Sequence, residues 1–190
     1  PGEVLAAMCY DAGIEVTSLP GPAACITALT LSGLSTRRFA FEAFLPPDKK
    51  ERKAILEELK NETRTIILYE APHHLVGTLQ ELYQTLGNRR MTLCRELTKK
   101  HETAFRTTIE DLIVFYKDQK PLGECVLVIE GRSRKEMEQE SQESWRDISI
   151  EEHMAIYENQ GIARKEAMKM VAKDRGVTKR DIYQALLLQK

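Results

Sequence analysis

No stretch of this sequence approaches the roughly 20 consecutive apolar residues that a membrane-spanning helix requires, so nothing in it argues for a membrane span. An excess of one charge sign is also missing: 28 Lys and Arg stand against 29 Asp and Glu, a formal net charge of -1. Binding to nucleic acid through overall charge is thereby excluded, and any such contact has to come from local basic patches. Cysteine is scarce, and Cys9, Cys25, Cys94 and Cys125 are widely spaced in apolar surroundings. That spacing excludes a metal knuckle or a disulfide framework, and predicts reduced core thiols in a cytoplasmic protein. No internal repeat is visible.

What is present is enough apolar material, 42% of 190 residues, for one core and a small satellite. Pro1 and Gly2 run directly into an apolar helical pattern with Val4, Leu5 and Met8, followed by a short apolar segment, Ile14 to Leu19. We read that segment as a strand. A lone apolar strand leaves its backbone groups unpaired, so the chain is expected to be a piece of a larger α/β protein. The first 35 residues are expected to be mobile, rearranged or paired with another copy.

Beyond Pro22 the apolar period switches repeatedly between helix and strand, as in α/β layers around a sheet. Ala23 to Leu31 reads as a helix that Gly33 ends. Phe39 to Phe44 reads as a strand closed by Pro46-Pro47, and Asp48 to Lys60 as an amphipathic helix with Ile55, Leu56 and Leu59 inward. Thr65 to Glu70 is almost continuously apolar and is placed as a central strand, with Pro72 opening the next helix through Leu75, Leu79 and Leu82. Met91 to Leu97 and Thr103 to Thr108 are strands, Ile109 to Lys117 a helix, and Glu124 to Glu130 the last buried strand. The fold class is therefore α/β, with five strands in one sheet flanked by helices, in addition to the isolated segment at 14–19.

Residues 132–147 contain almost nothing to bury and read as a mobile linker. After them, Ser149 with Glu152 and Thr178 with Asp181 form capping boxes, and Gly161 and Gly176 end the intervening helices. This predicts a module of three short helices near 150–159, 162–174 and 179–188. Its inward positions are Met154 and Tyr157, then Ala167, Met170 and Val171, then Ile182, Leu186 and Leu187. From Asn159 to Lys190 eight Lys or Arg stand against three acids. Lys179 and Arg180 open the last helix, as in a helix-turn-helix offering its N-terminus to phosphate. A capping bundle with a solvated charged face fits the same residues.

Three segments at strand ends carry the remaining chemistry. Pro20, Gly21, Pro22, Ala23 and Ala24 lead into a helix, where small side chains let a ligand reach the backbone. Tyr69, Glu70 and Ala71, with Pro72, His73 and His74, close a buried strand, a common ligand position in open sheets. Adjacent histidines at a helix start diverge, and no further Cys or His has ligand spacing, so no metal is assigned. The third segment, Arg95 to Glu102, packs Lys99, Lys100 and His101 beside Arg95 and Glu96. It suits either phosphate contact or a charged, protected hairpin edge.

Pro20-Gly21-Pro22-Ala23-Ala24, Phe44-Leu45-Pro46-Pro47, Tyr69-Glu70-Ala71-Pro72-His73, Arg95-Glu96-Leu97-Thr98-Lys99 and Gly123-Glu124-Cys125-Val126-Leu127-Val128-Ile129 occur in this order. The ordered set resembles the tetrapyrrole-methylase superfamily, the class III S-adenosylmethionine-dependent methyltransferases, and within it the bacterial branch that methylates ribosomal RNA. The resemblance implies methyl transfer from S-adenosylmethionine to the ribose 2'-hydroxyl of a cytidine in the decoding region of 16S rRNA. It implies two α/β domains with the cofactor in the cleft between them, a homodimer, and the small ribosomal subunit as partner. Residues 1–34 would then be the remnant of an N-terminal domain, 37–131 the C-terminal domain, 132–147 the linker and 148–190 an appended helical module. The Gly-rich first loop and an Asp-Ala-Gly-Thr-Pro segment of the family pattern have no counterpart here, and Ala23 stands where many relatives have Ser.

On that resemblance the cofactor contacts fall to Pro20, Gly21, Pro22, Ala23, Ala24, Tyr69, Glu70, Ala71, Arg95 and Glu96. A ribose hydroxyl is a poor nucleophile, so a positioned base or cation should assist, and Glu70, Glu96, Lys99 and His101 are the candidates. RNA phosphate would meet Lys99, Lys100, Arg164, Lys165, Lys179 and Arg180. A methylase acting on a tetrapyrrole, and a non-catalytic RNA-binding fragment, are the alternatives.

Overall fold

A computed structural model describes residues 2–188. Its centre is one five-stranded mixed sheet: β1 (Phe39–Phe44), β2 (Thr65–Glu70), β3 (Arg90–Arg95), β4 (Thr103–Thr108) and β5 (Cys125–Ile129). The strand order is β1-β2-β5-β3-β4; β1 runs parallel to β2, and every other neighbouring pair is antiparallel. All five strands lie where the apolar pattern predicts them, within two residues at each end. β2 and β5 are central and covered on both faces, which is why they read as continuous apolar runs.

Strand alternation sorts the core into two layers. Ile66, Leu68, Met91, Leu93, Leu127 and Ile129 face three helices, α3 (Lys49–Leu59), α4 (Leu75–Leu86) and α5 (Ile109–Phe115), which contribute Leu56, Leu59, Leu75, Leu79, Leu82, Ile109 and Leu112. Ile67, Cys94, Val126 and Val128 face the opposite way, onto Ala28 and Leu29 of a single helix, α2 (Ala24–Ser32). Cys94 and Cys125 are buried thiols whose pKa values burial pushes up to about 11. The helix starts are chemically marked. Asp48 accepts the Lys50 and Glu51 amides at α3, and Thr108 accepts the Asp111 amide at α5. Pro72 does not open α4; residues 71–74 form a tight turn, with His74 N–H donating to the Ala71 carbonyl, and the helix begins at Leu75.

Two further expectations, each about a whole segment, are corrected. Ile14 to Leu19 is not a strand. After α1 (Glu3–Asp11), an exposed helix, this segment is irregular and has no sheet neighbour, and Ile14 and Leu19 are exposed. Without a partner ladder, apolar sequence alone does not hold a strand.

Residues 132–147 are not an irregular linker either, because α6 (Arg134–Ser144) occupies them, with Ser133 accepting the Glu136 amide. α6 buries no residue fully, and for that reason the composition looked disordered. It is anchored at its C-terminal end: Trp145 stacks on His153 with ring centroids 3.7 Å apart, and Gln142 lies against Gly176.

The expected three-helix module is present as α7 (Ile150–Asn159), α8 (Arg164–Asp174) and α9 (Lys179–Leu188). Its core is Met154, Ala167, Val171, Ala172 and Ile182, with Tyr157 and Leu186 packed against it. Leu187 is exposed, contrary to expectation, and His153 is buried in its stead. Both capping boxes form: Ser149 with Glu152, and Thr178 with Asp181. Pro1, Gln189 and the tail cation Lys190 lie outside the described residues.

Candidate functional site

The C-terminal ends of β1, β2 and β3, the N-terminal end of β5 and the start of α2 meet at one end of the sheet. Between them lies a cleft of about 430 Å³ lined by Ala24, Phe44, Tyr69, Glu70, Ala71, Pro72, Leu97, Glu124, Cys125 and Val126. Of the expected contact residues, Ala24, Tyr69, Glu70 and Ala71 therefore come together here. Pro20, Gly21, Pro22 and Ala23 are exposed and do not line it.

Tyr69 organises one wall. Cys25 N–H donates to its hydroxyl at 3.1 Å, tying the first turn of α2 to the end of β2. Burial, and after it the neighbouring Cys25 side chain, raise the phenol pKa against the pull of the Cys25 amide. Phe41 and Phe44 meet the Tyr69 ring edge-on, at 5.0 and 5.6 Å between centroids. Phe41 and Phe44 are exposed, leaving an aromatic rim open to a ligand.

Glu70 in the cleft lining and Glu96, which stands outside it, are carboxylates that are already engaged. Glu70 Oε1 accepts the Ala71 amide at 2.8 Å, and Oε2 accepts the Thr78 hydroxyl at 2.5 Å. The Arg52 guanidinium lies 3.9 Å from Oε2 and donates to Thr78 at 2.8 Å. Held through both oxygens, Glu70 acts as an anchor for the turn after β2. Glu96 is similarly bound: Oε1 accepts the Glu124 amide at 2.8 Å and Lys99 Nζ at 3.4 Å. Those contacts, led by the Glu124 amide, lower its pKa, so it is ionised near neutrality and a weak base. Lys99 also reaches Glu124 Oε2 at 3.0 Å, and that contact raises its pKa.

The remaining sequence candidates separate. Arg95 faces away from the cleft, donating to the Leu122 carbonyl at 2.9 Å and the Tyr116 hydroxyl at 3.2 Å, because residue 95 follows Met91 and Leu93 onto the α3–α5 face. Lys100 and His101 are exposed on the loop between β3 and β4. His73 and His74 are exposed, with rings 4.1 Å apart. In the C-terminal module, Arg164 is held by Glu158 at 3.1 Å, Lys165 and Arg180 are exposed, and Lys179 is half-buried.

Backbone strain gathers at the same end. Ala43, Glu96 and Thr98 are the three non-glycine residues with positive φ among those described, at 52°, 51° and 64°. Ala43 belongs to a bulge where the β1–β2 register shifts between Phe41 and Ala43, and it precedes Phe44; Glu96 and Thr98 bracket Leu97. Left-handed backbone of this kind persists only where the surroundings impose it, and it clusters at ligand sites.

A family profile described as tetrapyrrole (corrin/porphyrin) methylases matches residues 2–113. The chain belongs to this family. The profile reaches from α1 into α5 and includes most of the cleft wall. Two curated relatives, both named ribosomal RNA small subunit methyltransferase I, come from Halalkalibacterium halodurans and Bacillus subtilis. The first is 43% identical over 183 residues, 96% of this chain and 63% of its own length. The second is 42% identical over 185 residues, 97% of this chain and 63% of its own length. The chain thus spans under two thirds of these relatives. Among solved structures, the methyltransferase CobJ aligns with a TM-score of 0.51 at 18% identity, over 68% of this chain and 56% of that one. This likeness is one of fold.

Phe44, Pro72, Leu97, Glu124, Cys125 and Val126 line the cleft and are not among the contact residues expected from the sequence. Phe44, Leu97 and Glu124–Val126 lie inside the ordered motifs, so the signal was there. What it lacked was the antiparallel pairing of β5 with β2 and β3, which brings residue 124 beside residues 70 and 96.

Proposed function

We propose that the cleft is one wall of an S-adenosylmethionine site. In the whole protein it would serve methylation of small-subunit ribosomal RNA, specifically at the 2'-hydroxyl of a cytidine ribose in the decoding region. The observation that carries the reading is the cleft itself, an aromatic and small-residue pocket at the strand ends, in a chain that shares more than 40% identity with two rRNA methyltransferases.

The lining fits the cofactor's chemistry. Phe44, Tyr69, Leu97 and Val126 offer apolar surface for a flat ring, Ala24 and Ala71 allow backbone approach, and Glu70 and Glu124 place negative charge near a cationic ligand. When bound, S-adenosylmethionine supplies an activated methyl group on a sulfonium. Transfer of that methyl group to a ribose hydroxyl would leave the hydroxyl proton to be taken by a base on the chain. The chain's contribution is to hold the reactants in line and exclude water. Glu70 and Glu96 position the walls, Lys99 adds charge beside them, and His101, exposed on the 98–102 loop, is the candidate here for receiving the proton. Lys100, Lys165 and Arg180 are exposed cations available to phosphate. A cytoplasmic homodimer acting on the small ribosomal subunit is the setting this reading implies.

Calorimetric titration with S-adenosylhomocysteine tests the site. The chain joined to the remaining length of its relatives is expected to bind, and Leu97→Asp, which puts a charge into the apolar wall, is expected to weaken binding at least about tenfold, roughly 1.4 kcal/mol. Methyl transfer to a uroporphyrin-type macrocycle and not to 16S rRNA would replace the RNA reading with the tetrapyrrole one. Binding of neither cofactor nor its product would remove both.

A further inference from the structure

At the end of the sheet opposite the cleft, where β1 and β2 begin and β5 ends, a hollow of about 450 Å³ is lined by Arg37, Arg38, Arg64, Arg132 and Arg134, with Glu130 as the one acid. A second hollow shares Glu130 to Ser133 with it and adds Arg89, Arg90 and the acid Glu136. In a chain of net charge -1, seven arginines along one edge are a strong local departure. None is lysine; all are arginine, the cation whose planar fork binds phosphate through two hydrogen bonds.

The charges are not all spent within the protein. Arg64 grips Glu62 through Nε at 3.0 Å and Nη2 at 2.5 Å, which holds the Glu62 carboxyl down to about 2. Arg90 pairs with Glu130, and Arg132 with Glu140 and Asn61. Arg89 is turned inward onto the Lys60 carbonyl at 2.6 Å. Arg37, Arg38 and Arg134 are exposed, and among the described residues no acid lies within ion-pair distance of them.

The base beneath them is rigid. Arg132 N–H donates to the Glu62 carbonyl, and a Cβ on Gly131 would come within 2.4 Å of the Thr63 and Arg64 backbone. Those close contacts lock the exit of β5 onto the entry to β2 and fix the spacing of the arginines around it.

We propose that this arginine hollow is a second RNA contact surface, in which Arg37, Arg38 and Arg134 bind backbone phosphates of a strand whose target nucleotide lies at the far end of the sheet. The inference rests on the rRNA reading above. From Thr65 to Glu70 the two sites are separated by five strand rises, about 17 Å, a distance that a folded RNA spans within one stem or loop. Such contacts orient the substrate without reading its sequence. They also differ from the tail and loop cations, because they flank the entry to β1 and the exit from β5 at the end of the sheet opposite the cleft.

The test is a salt titration of binding, by fluorescence anisotropy, with a labelled 16S rRNA decoding-region hairpin as probe. It compares the chain with Arg37→Ala/Arg38→Ala/Arg134→Ala and with the corresponding triple Lys variant. Circular dichroism and melting temperature serve as controls for folding. Removal of three phosphate contacts is expected to flatten the slope of log K against log salt by about 2, at roughly 0.7 per contact on a single strand, and to weaken binding about tenfold or more near physiological salt. The Lys variant is expected to keep the slope and lose part of the affinity. A folded Ala variant with unchanged slope and affinity overturns the proposal while leaving the rRNA reading intact. A chain that binds no hairpin at all also overturns it, and S-adenosylhomocysteine calorimetry on the same preparation then decides the methyltransferase reading separately.

Discussion

Gly123 sits at φ 79° with no side chain because the space is taken: a Cβ there would lie 2.5 Å from Glu96 Cγ and Oε1. Glu96 itself holds a left-handed φ of 51° and depends on the Glu124 amide. One glycine thus lets a strained glutamate fold across the start of β5 and fix Leu97 on the cleft wall. Gly123→Ala is expected to cost about 1–2 kcal/mol from the backbone alone and to push Glu96 out of its hydrogen bond. Urea denaturation should register the stability loss, and S-adenosylhomocysteine calorimetry a weaker site. Unchanged cofactor affinity in a destabilised variant would separate the Glu96 cluster from the cleft. At this scale the sequence marked Glu70, Glu96 and Lys99 as chemically promising, and it was blind to their partners. Thr78, eight residues beyond Glu70, and the Glu124 amide, 28 residues beyond Glu96, are what turn two candidate bases into fixtures.

Elements were legible wherever a run of residues had one face to bury. β2 and β5 announced themselves by continuous apolar sequence, and α3 by the spacing of Leu56 and Leu59. Ile14 to Leu19 carried a similar local pattern and formed no strand, because strand formation is decided by hydrogen bonding to a neighbour. α6 is the reverse case. Its eleven residues bury nothing fully, yet a capped N-terminus at Ser133 and the Trp145 stack on His153 hold it. Trp145→Ala is expected to remove about 0.5–1.5 kcal/mol of stacking along with the buried area, and to let 134–144 exchange its amides freely while β2 and β5 remain protected. Hydrogen exchange read by mass spectrometry checks this, and equal protection of 134–144 in both proteins would show that the cap alone suffices.

For the molecule as a whole, the C-terminal module gives stability a pH dependence distinct from that of the sheet. His153 is fully buried; Arg175 Nε donates to its Nδ1 at 3.2 Å, and Nε2 lies 3.3 Å from Asp174. Trp145 and Tyr157 pack on its ring. Burial, reinforced by the Arg175 charge, lowers its pKa below the ordinary 6.5 against the pull of Asp174. The unfolded chain therefore binds the proton first. Stability contributed by neutral His153 is present above about pH 6.5 and declines as the pH falls below it. The carboxylates of Glu152 and Asp181, lowered by their capping hydroxyls, add their own loss only under more acidic conditions. Trp145 is the single tryptophan, so its fluorescence reports this module. Its melting temperature is expected to drop between pH 7.5 and 5.5, and to lose that dependence in His153→Gln. A rise on acidification would mean that Asp174 dominates.

The sequence by itself determined the five strands of the sheet, the two capping boxes of the C-terminal module, the apolar faces of the sheet and the ordered motifs of the family, because each depends on residues close together in the chain. Tertiary structure alone decided which of those residues meet. Antiparallel pairing of β5 with β2 and β3 brought Glu124 to Glu96 and Cys125 to Glu70. The alternation of β3 sent Arg95 away from the cleft. The same sheet gathered Arg37, Arg38 and Arg134, nearly a hundred positions apart, at its other end. Such juxtapositions follow from strand order and register, and a pattern of hydrophobicity along one chain segment carries no information about the partner it will face.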